Sequence, residues 1–257
     1  IPIVGYYKPR FAEGILDALE VNALALAVED KQVVLLSVDN CGFSETVANS
    51  YRDHICEVTG LPADCVFLHA THTHTGPSTC PTYDKDLVLL AEYENHPLLP
   101  EYFYFLRNKL ADAAVLALKD LKPAKMGWAV GEAPKVAFVR RFRMKDGKVR
   151  TNPGVGNPDI LHPIGDVDER VNVLRFDREG AETILLANFG NHPDAVGDSL
   201  ISGDWPTLFR HRLEKALDNV KSIFFNGAQG DVNHVNVNAK GGDFNDTFHD
   251  FDDVDRG

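Results

Sequence analysis

The chain has 257 residues, with 26 Lys and Arg against 38 Asp and Glu, a formal net charge of −12. That surplus of carboxylates excludes the basic footprint of a nucleic-acid binder and repels anionic membranes, while a neutral lipid-like substrate stays admissible. With 44% hydrophobic residues the chain can bury one sizeable core or two small ones, and no apolar run reaches the roughly 18 residues of an integral membrane segment.

The start, Ile1-Pro2-Ile3-Val4-Gly5, carries neither an initiator Met nor a signal-peptide pattern and reads as trimmed. Val21-Asn22-Ala23-Leu24-Ala25-Leu26 is a predicted strand, Glu29-Asp30-Lys31 a turn, and Val34-Leu35-Leu36 the centre of a second strand leading to Asp39-Asn40. A helix follows Ser44, runs through Thr46 to Thr59 and closes at Gly60 before Leu61-Pro62. Cys41, Cys56, Cys65 and Cys80 are too few and too irregularly spaced for a disulfide scaffold or a cysteine zinc knuckle. The compartment stays open, a secreted or periplasmic one being slightly favoured over the cytoplasm.

A third strand, Val66-Phe67-Leu68, runs into His69-Ala70-Thr71-His72-Thr73-His74-Thr75-Gly76-Pro77. An apolar run that stops at His, Thr, Gly and Pro delivers its last side chains to the rim of a sheet, where ligands converge. His72 and His74 share a face if the chain stays extended there. Neutral imidazole is the commonest metal ligand, and a hydrolytic zinc site takes three protein ligands and keeps one position for water. The other reading makes both histidines polar loop residues bonded to nearby backbone.

A long helix is predicted from about Leu99 to Leu121, with Phe105, Leu106, Leu110, Ala113, Ala114 and Ala117 as its apolar stripe. Phe142 to Arg150 reads as a hairpin turning at Asp146-Gly147. Arg140, Arg141, Arg143, Lys145, Lys148 and Arg150 concentrate positive charge there, as expected of a solvated edge protected by charge. Arg140 precedes the hairpin, from where it could hold a substrate carbonyl or carboxylate bidentately.

Shifting the sequence by 150 places lays Val21–Leu26 on Val171–Phe176 and Val34-Leu35-Leu36 on Ile184-Leu185-Leu186. Both halves read as strand, turn, strand ending in polar residues, helix, and a third strand ending at a candidate site. In the second half the turn is Arg178-Glu179-Gly180, and the second strand runs to Phe189-Gly190-Asn191-His192-Pro193-Asp194. Its helix follows Asp204-Trp205-Pro206, with Leu208, Leu213 and Leu217 on one face and Arg210, Arg212 and Lys215 around it. The third strand, from Ser222 through Ile223-Phe224-Phe225, ends at Asn226-Gly227-Ala228-Gln229-Gly230-Asp231-Val232-Asn233-His234. In this plan Asp39-Asn40 falls opposite Asn191-His192. Asp204 reads most simply as a helix N-cap, and Asp231 as structural, its carboxylate folded back on the backbone. After His234 come Gly241-Gly242 and an acidic stretch with Asp243, Asp246, Asp250, Asp252, Asp253 and Asp255 but no apolar periodicity, either a tail or the edge of a fragment. The expected class is α/β: two β-β-α-β units forming mixed sheets with helices outside.

Thr71-His72-Thr73-His74-Thr75-Gly76-Pro77 resembles the Thr-His-Thr-His-Ser-Gly-Pro signature of neutral ceramidases, and Gly230-Asp231-Val232-Asn233 resembles the start of their Gly-Asp-Val-Ser-Pro-Asn signature. His192 stands where that family's second zinc histidine follows a buried strand, and Arg140 where it has an Asn-Arg pair. The resemblance implies a layered catalytic domain over residues 1–257 with an incomplete C-terminus, which the internal repeat divides into halves of about 1–125 and 126–240. It also implies an amidase of sphingolipid metabolism that cleaves an N-acyl bond with one zinc ion. His72 and His192 match the histidine ligands, a glutamate and a tyrosine would lie beyond Gly257, and His74 and Arg140 match residues near the scissile group. Asn233 occupies the family's serine position, followed by His234 rather than Pro, and an asparagine cannot be an acyl nucleophile.

The mechanism expected from these residues is direct attack by a metal-activated water on a small-molecule or lipid-like amide. His74 or His234 would manage the proton, Arg140 would orient the substrate, and Asn233 would face the oxyanion. A binuclear phosphoesterase is a second reading, suggested by Gly190-Asn191-His192 and Gly230-Asp231, although the usual opening Asp-x-His is absent near the first strand. A noncatalytic metal-containing binding module is a third. His69, His96, His162, His211 and His249 show no convergent context, and nothing in the sequence indicates the oligomeric state.

Overall fold

The computed structural model describes residues 1–6, 10–79 and 96–237. Two compact units emerge: one of Ile1–Lys125 with Asp177–Glu182 and Asp198–Gly203, the other of Met126–Phe176, Thr183–Gly197 and the chain from Asp204 onward.

In the first unit, β4 (Val21–Val28) and β5 (Lys31–Val38) form an antiparallel hairpin in register Val21↔Val38 to Val28↔Lys31. Strand β6 (Val66–Ala70) then lies parallel to β5, Val34 opposite Val66. Parallel neighbours need a crossover, and α1 (Glu45–Thr59) supplies it. The Ser44 side chain accepts from the Val47 amide at its start, and Gly60, with φ 75°, ends it by donating to the Cys56 carbonyl. Both caps fall where the sequence places them. The second helix, α2 (Leu98–Lys119), closes the core over Val34, Leu36, Val38, Tyr51 and Ile55.

The buried stripe of α2 is Leu99, Leu106, Leu110, Ala111 and Ala114, so the expected stripe is corrected at Phe105, which is 57% exposed. On the helical wheel Phe105 lies about 100° from Leu106, on the side away from Leu110 and Ala114. Three short strands, β1 (Pro2–Ile3), β2 (Arg10–Phe11) and β3 (Gly14–Ile15), bind the N-terminal segment: β1 pairs with β2, and β3 with β14 (Leu200–Ile201). The Val4 amide donates to the Gly76 carbonyl and that of Ser78 to Pro2, laying the N-terminus along the histidine loop.

The second unit repeats the plan. Its four-stranded sheet has the order β15 (Val220–Asn226), β13 (Thr183–Phe189), β12 (Arg170–Arg178), β7 (Ala124–Glu132). Strands β12 and β13 are antiparallel and β13 and β15 parallel, with α3 (Asp204–Ala216) as the crossover. The chain is therefore α/β, with two β-β-α-β units building mixed sheets as the sequence predicts. The buried side of α3 differs from expectation. Trp205, Thr207 and Arg210 are buried, Leu208 and Leu213 are half-buried, and Leu217 is exposed. Trp205 takes the core position, its ring edge-on to Phe224 at 4.9 Å and to Phe189 at 6.3 Å. Arg210 is only 1% exposed, donating to Thr207 Oγ1 while its carbonyl accepts from Ser222.

The basic hairpin is also present. Strand β9 (Arg141–Met144) pairs with β10 (Val149–Thr151) around Gly147 at φ 78°, and on its other side with β11 (Ile160–Pro163). A short pair, β8 (Phe138–Val139) with β16 (Val232–Asn233), seats the Gly230-Asp231 loop. Cys80, Gly241-Gly242, the acidic stretch from Asp243 and His249 lie outside the described residues. Among the described residues, no helix is long and apolar enough to cross a membrane.

Leu110, fully buried on α2, and Phe105 beside it separate the observed stripe from the expected one. In denaturant unfolding, Leu110→Ala should lose about 2–5 kcal/mol and Phe105→Ala less than about 1 kcal/mol; equal losses would mean the helix is rotated.

Candidate metal centre

Strand β6 ends at Ala70, and the next residues leave extended geometry: His72 sits at φ 76°. The alternation argument for His72 and His74 is therefore corrected. A left-handed histidine costs about 1–3 kcal/mol and persists only where its surroundings fix it. Here the His72 amide donates to the Asn40 carbonyl at 2.9 Å, and its Nδ1 meets the Cys41 carbonyl at 2.6 Å. A carbonyl only accepts, so Nδ1 carries the proton and Nε2 the lone pair, the tautomer a metal ligand needs.

The neighbouring side chains hold this loop. Thr71 donates to Asp39, whose other carboxylate oxygen accepts the Glu20 amide; Asn40 donates to the Pro77 carbonyl and accepts the Gly42 amide. Thr73 and Thr75 both donate to the Ser202 carbonyl, at 2.7 and 3.0 Å, and Arg10 donates to the carbonyls of His74, Val4 and Asp198. The rings of His72 and His74 come to 5.1 Å between centroids, with Tyr6 edge-on to His74 at 5.0 Å. Gly5 makes this approach possible: at φ 121°, a Cβ there would lie 2.5 Å from His74.

Cys41, which no spacing in the chain connects with the histidines, lies beside them. Its sulfur is 3.9 Å from His72 Nδ1, and one donor atom each from Cys41, His72 and His74 all lie within 4.8 Å of one another. Burial pushes the Cys41 thiol up to about 11, against a smaller downward pull from Arg10.

In the second unit, β13 ends at Phe189 and β15 at Asn226, and the two loops that follow are clamped together. The Asn226 side chain both accepts from the Asn191 amide and donates to its carbonyl. Gly227 allows the approach, since a Cβ there would meet the Gly190 backbone at 3.1 Å. His192 is buried; its Nδ1 lies 3.2 Å from the Gln229 carbonyl, and its own carbonyl accepts from the Trp205 indole. The tautomer is that of His72, again fixed by a main-chain oxygen. Each unit thus carries one strand-end histidine with its Nδ1 anchored on a main-chain oxygen, and in the first a thiol lies near it; these are donor types suited to zinc.

His234 Nδ1 pairs with Asp194 at 3.0 Å, both groups nearly buried. Asp204 lies deeper, at φ 61°, its carboxylate accepting the amides of Val196 and Trp205. It opens α3 as the first helical residue, accepting the next amide and that of Val196 rather than capping from outside as expected, and burial pushes its carboxyl up to about 7 despite those two hydrogen bonds, with the Asp194 charge adding and His234 opposing.

The remaining candidates gather at the Gly230-Asp231 loop. Arg140 Nε donates to the Gly230 carbonyl and its amide to the Asp231 carbonyl, each at 2.9 Å. The Asp231 carboxylate pairs with the Arg141 guanidinium at 3.1 Å, rather than folding back on the backbone turn as expected. Buried Asn233 accepts the Val235 amide and donates to Asn152. Elsewhere, His69 contacts Ser37, His96 accepts the Leu98 amide, and His162 contacts the Pro163 carbonyl.

No model of a known protein family matches the chain. Two solved structures are similar to it. One, a ceramidase complexed with C2, has a TM-score of 0.70 at 18% identity over 98% of this chain and 39% of that one. The other, a neutral ceramidase from Pseudomonas aeruginosa, has a TM-score of 0.68 at 18% identity over 99% and 40%. The likeness is one of fold, and the chain spans about two fifths of the length of these proteins.

Two substitutions probe this geometry. Gly5→Ala should cost more than about 1 kcal/mol by meeting both a left-handed φ and the His74 side chain, while Gly127→Ala, with open space at its Cβ, should stay within about 0.5 kcal/mol. For Asp204, a folded pKa raised above the unfolded carboxyl value means that the folded state holds the extra proton. Its contribution to stability is full below pH 4 and is lost as pH rises toward 7. Asp204→Asn should flatten that part of the melting-temperature profile; an unchanged difference between wild type and variant across pH 4–7 would refute the assignment.

Proposed function

We propose that the protein is a zinc-dependent hydrolase of an N-acyl amide bond, with His72 and His192 as the histidine ligands this chain supplies. The observation carrying the reading is the matched anchoring of their Nδ1 atoms on the Cys41 and Gln229 carbonyls. The resemblance of the Thr71–Pro77 segment to neutral ceramidases and the fold shared with two ceramidase structures support it. A bound zinc ion supplies Lewis acidity toward a carbonyl oxygen and lowers the pKa of a water toward neutrality.

The chain's own residues do the rest. His234, oriented by Asp194, takes a proton and returns it to the leaving amine, the role a carboxylate-supported imidazole serves in general acid–base catalysis. His74 is a second candidate for that proton. Arg140, braced at Nε by Gly230, keeps its terminal nitrogens for orienting the substrate carbonyl. Asn233 offers an amide donor toward a developing oxyanion, and no covalent acyl intermediate forms on it. The substrate is a small or lipid-like amide, and the setting secreted or periplasmic.

A metal-containing binding module is the second reading, favoured by one observation: the Asn233 amide is already bonded to Asn152 and Val235. Elemental analysis of the purified chain should find about one zinc, lost in both His72→Ala and His192→Ala, together with chelator-sensitive turnover of an N-acyl amide panel. Stoichiometric zinc retained in either variant would refute the ligand assignment. Zinc without turnover of any amide would favour the binding module.

A further inference from the structure

Cys41 holds His72 twice, through its carbonyl at 2.6 Å from Nδ1 and through a sulfur 3.9 Å from the same atom. The sulfur and one ring nitrogen each from His72 and His74 fall within 4.8 Å of one another. Two nitrogens and a sulfur around tetrahedral zinc stand roughly 3.5 Å apart, given Zn–S of about 2.3 Å and Zn–N of about 2.0 Å. Closing the set from that upper bound takes roughly an ångström or more of side-chain movement, the sulfur swinging from Nδ1, which keeps the Cys41 carbonyl, toward Nε2.

We infer that Cys41 is a sulfur ligand of the ion beside His72, supplied by the first unit. This rests on the proposed reading of His72 as a zinc ligand. Coordination forms one metal–sulfur bond and releases the thiol proton to solvent; no electrons are exchanged. Soft sulfur selects zinc, cadmium or cobalt over magnesium, calcium or manganese, and its negative charge weakens the Lewis acidity of the ion.

Metal binding takes the thiolate form of a cysteine, so a thiolate-to-metal signature reports coordination. The test is cobalt(II) titration of the metal-free full-length chain, read by absorption. Wild type should show thiolate-to-cobalt charge transfer in the near ultraviolet alongside the ligand-field bands. Cys41→Ser should lose the charge-transfer band, keep ligand-field bands and bind cobalt at least roughly 10–100-fold more weakly. Cys56→Ser and Cys65→Ser should keep the wild-type spectrum. Should Cys41→Ser fail to fold, alkylation of wild type followed by peptide mass analysis serves instead, with Cys41 protected by cobalt and reactive without it. Cobalt binding without charge transfer, a band surviving in Cys41→Ser, or a Cys41 equally reactive with and without metal would overturn the inference while leaving the His72 assignment intact. No cobalt binding at all would overturn both.

Discussion

The candidate site depends on one kind of interaction: a main-chain carbonyl accepting from the Nδ1 of a histidine at the end of a sheet strand. Each imidazole is rotated into a single tautomer by the loop after the neighbouring strand, Cys41 for His72 and Gln229 for His192. This couples ligand geometry to sheet registry. Shifting β6 against β5 would separate His72 from Cys41, and shifting β15 against β13 would break the Asn226 clamp on Asn191. Within each unit the sheet sets the position of a histidine that lies beyond its own strands.

Two of the strained backbone positions belong to these loops. His72 and Asp204 are non-glycine residues at φ 76° and 61°, and each is fixed by hydrogen bonds to its own loop. Left-handed backbone at such positions persists because the surrounding contacts over-determine it. Threonine has a particular use here: the Thr73 and Thr75 hydroxyls converge on one carbonyl, that of Ser202, and lock the turn between the two histidines. Asp204 adds a buried carboxyl beside the Asp194–His234 pair, an arrangement that makes proton affinity in the second unit sensitive to any charge gained or lost nearby.

Much of the fold was legible because its signals are local. Ser44 and Gly60 mark the ends of α1, Asp146-Gly147 turns the hairpin, and the 150-residue shift exposes the doubled β-β-α-β plan. What was not legible depends on distant partners. Arg210 looks like a surface cation in the periodicity of α3, yet Thr207 and Ser222 bury it. Phe105 is apolar but belongs to the wrong side of α2. The histidines announced themselves by ending apolar runs, whereas nothing in the cysteine spacing could place Cys41 against His72, 31 residues away. The pairing of Asp194 with His234 spans 40 residues and had no sequence signature beyond two polar residues at strand ends.

The tautomers of His72 and His192 test the account most directly. Long-range proton–nitrogen correlation spectra of the metal-free protein, with ring signals assigned through single His→Gln variants, should show both rings protonated at Nδ1 and bare at Nε2. Zinc should then shift the two Nε2 resonances and leave the Nδ1 protons in place. Rings protonated at Nε2, or zinc shifts confined to Nδ1, would contradict the carbonyl anchoring on which the site is built.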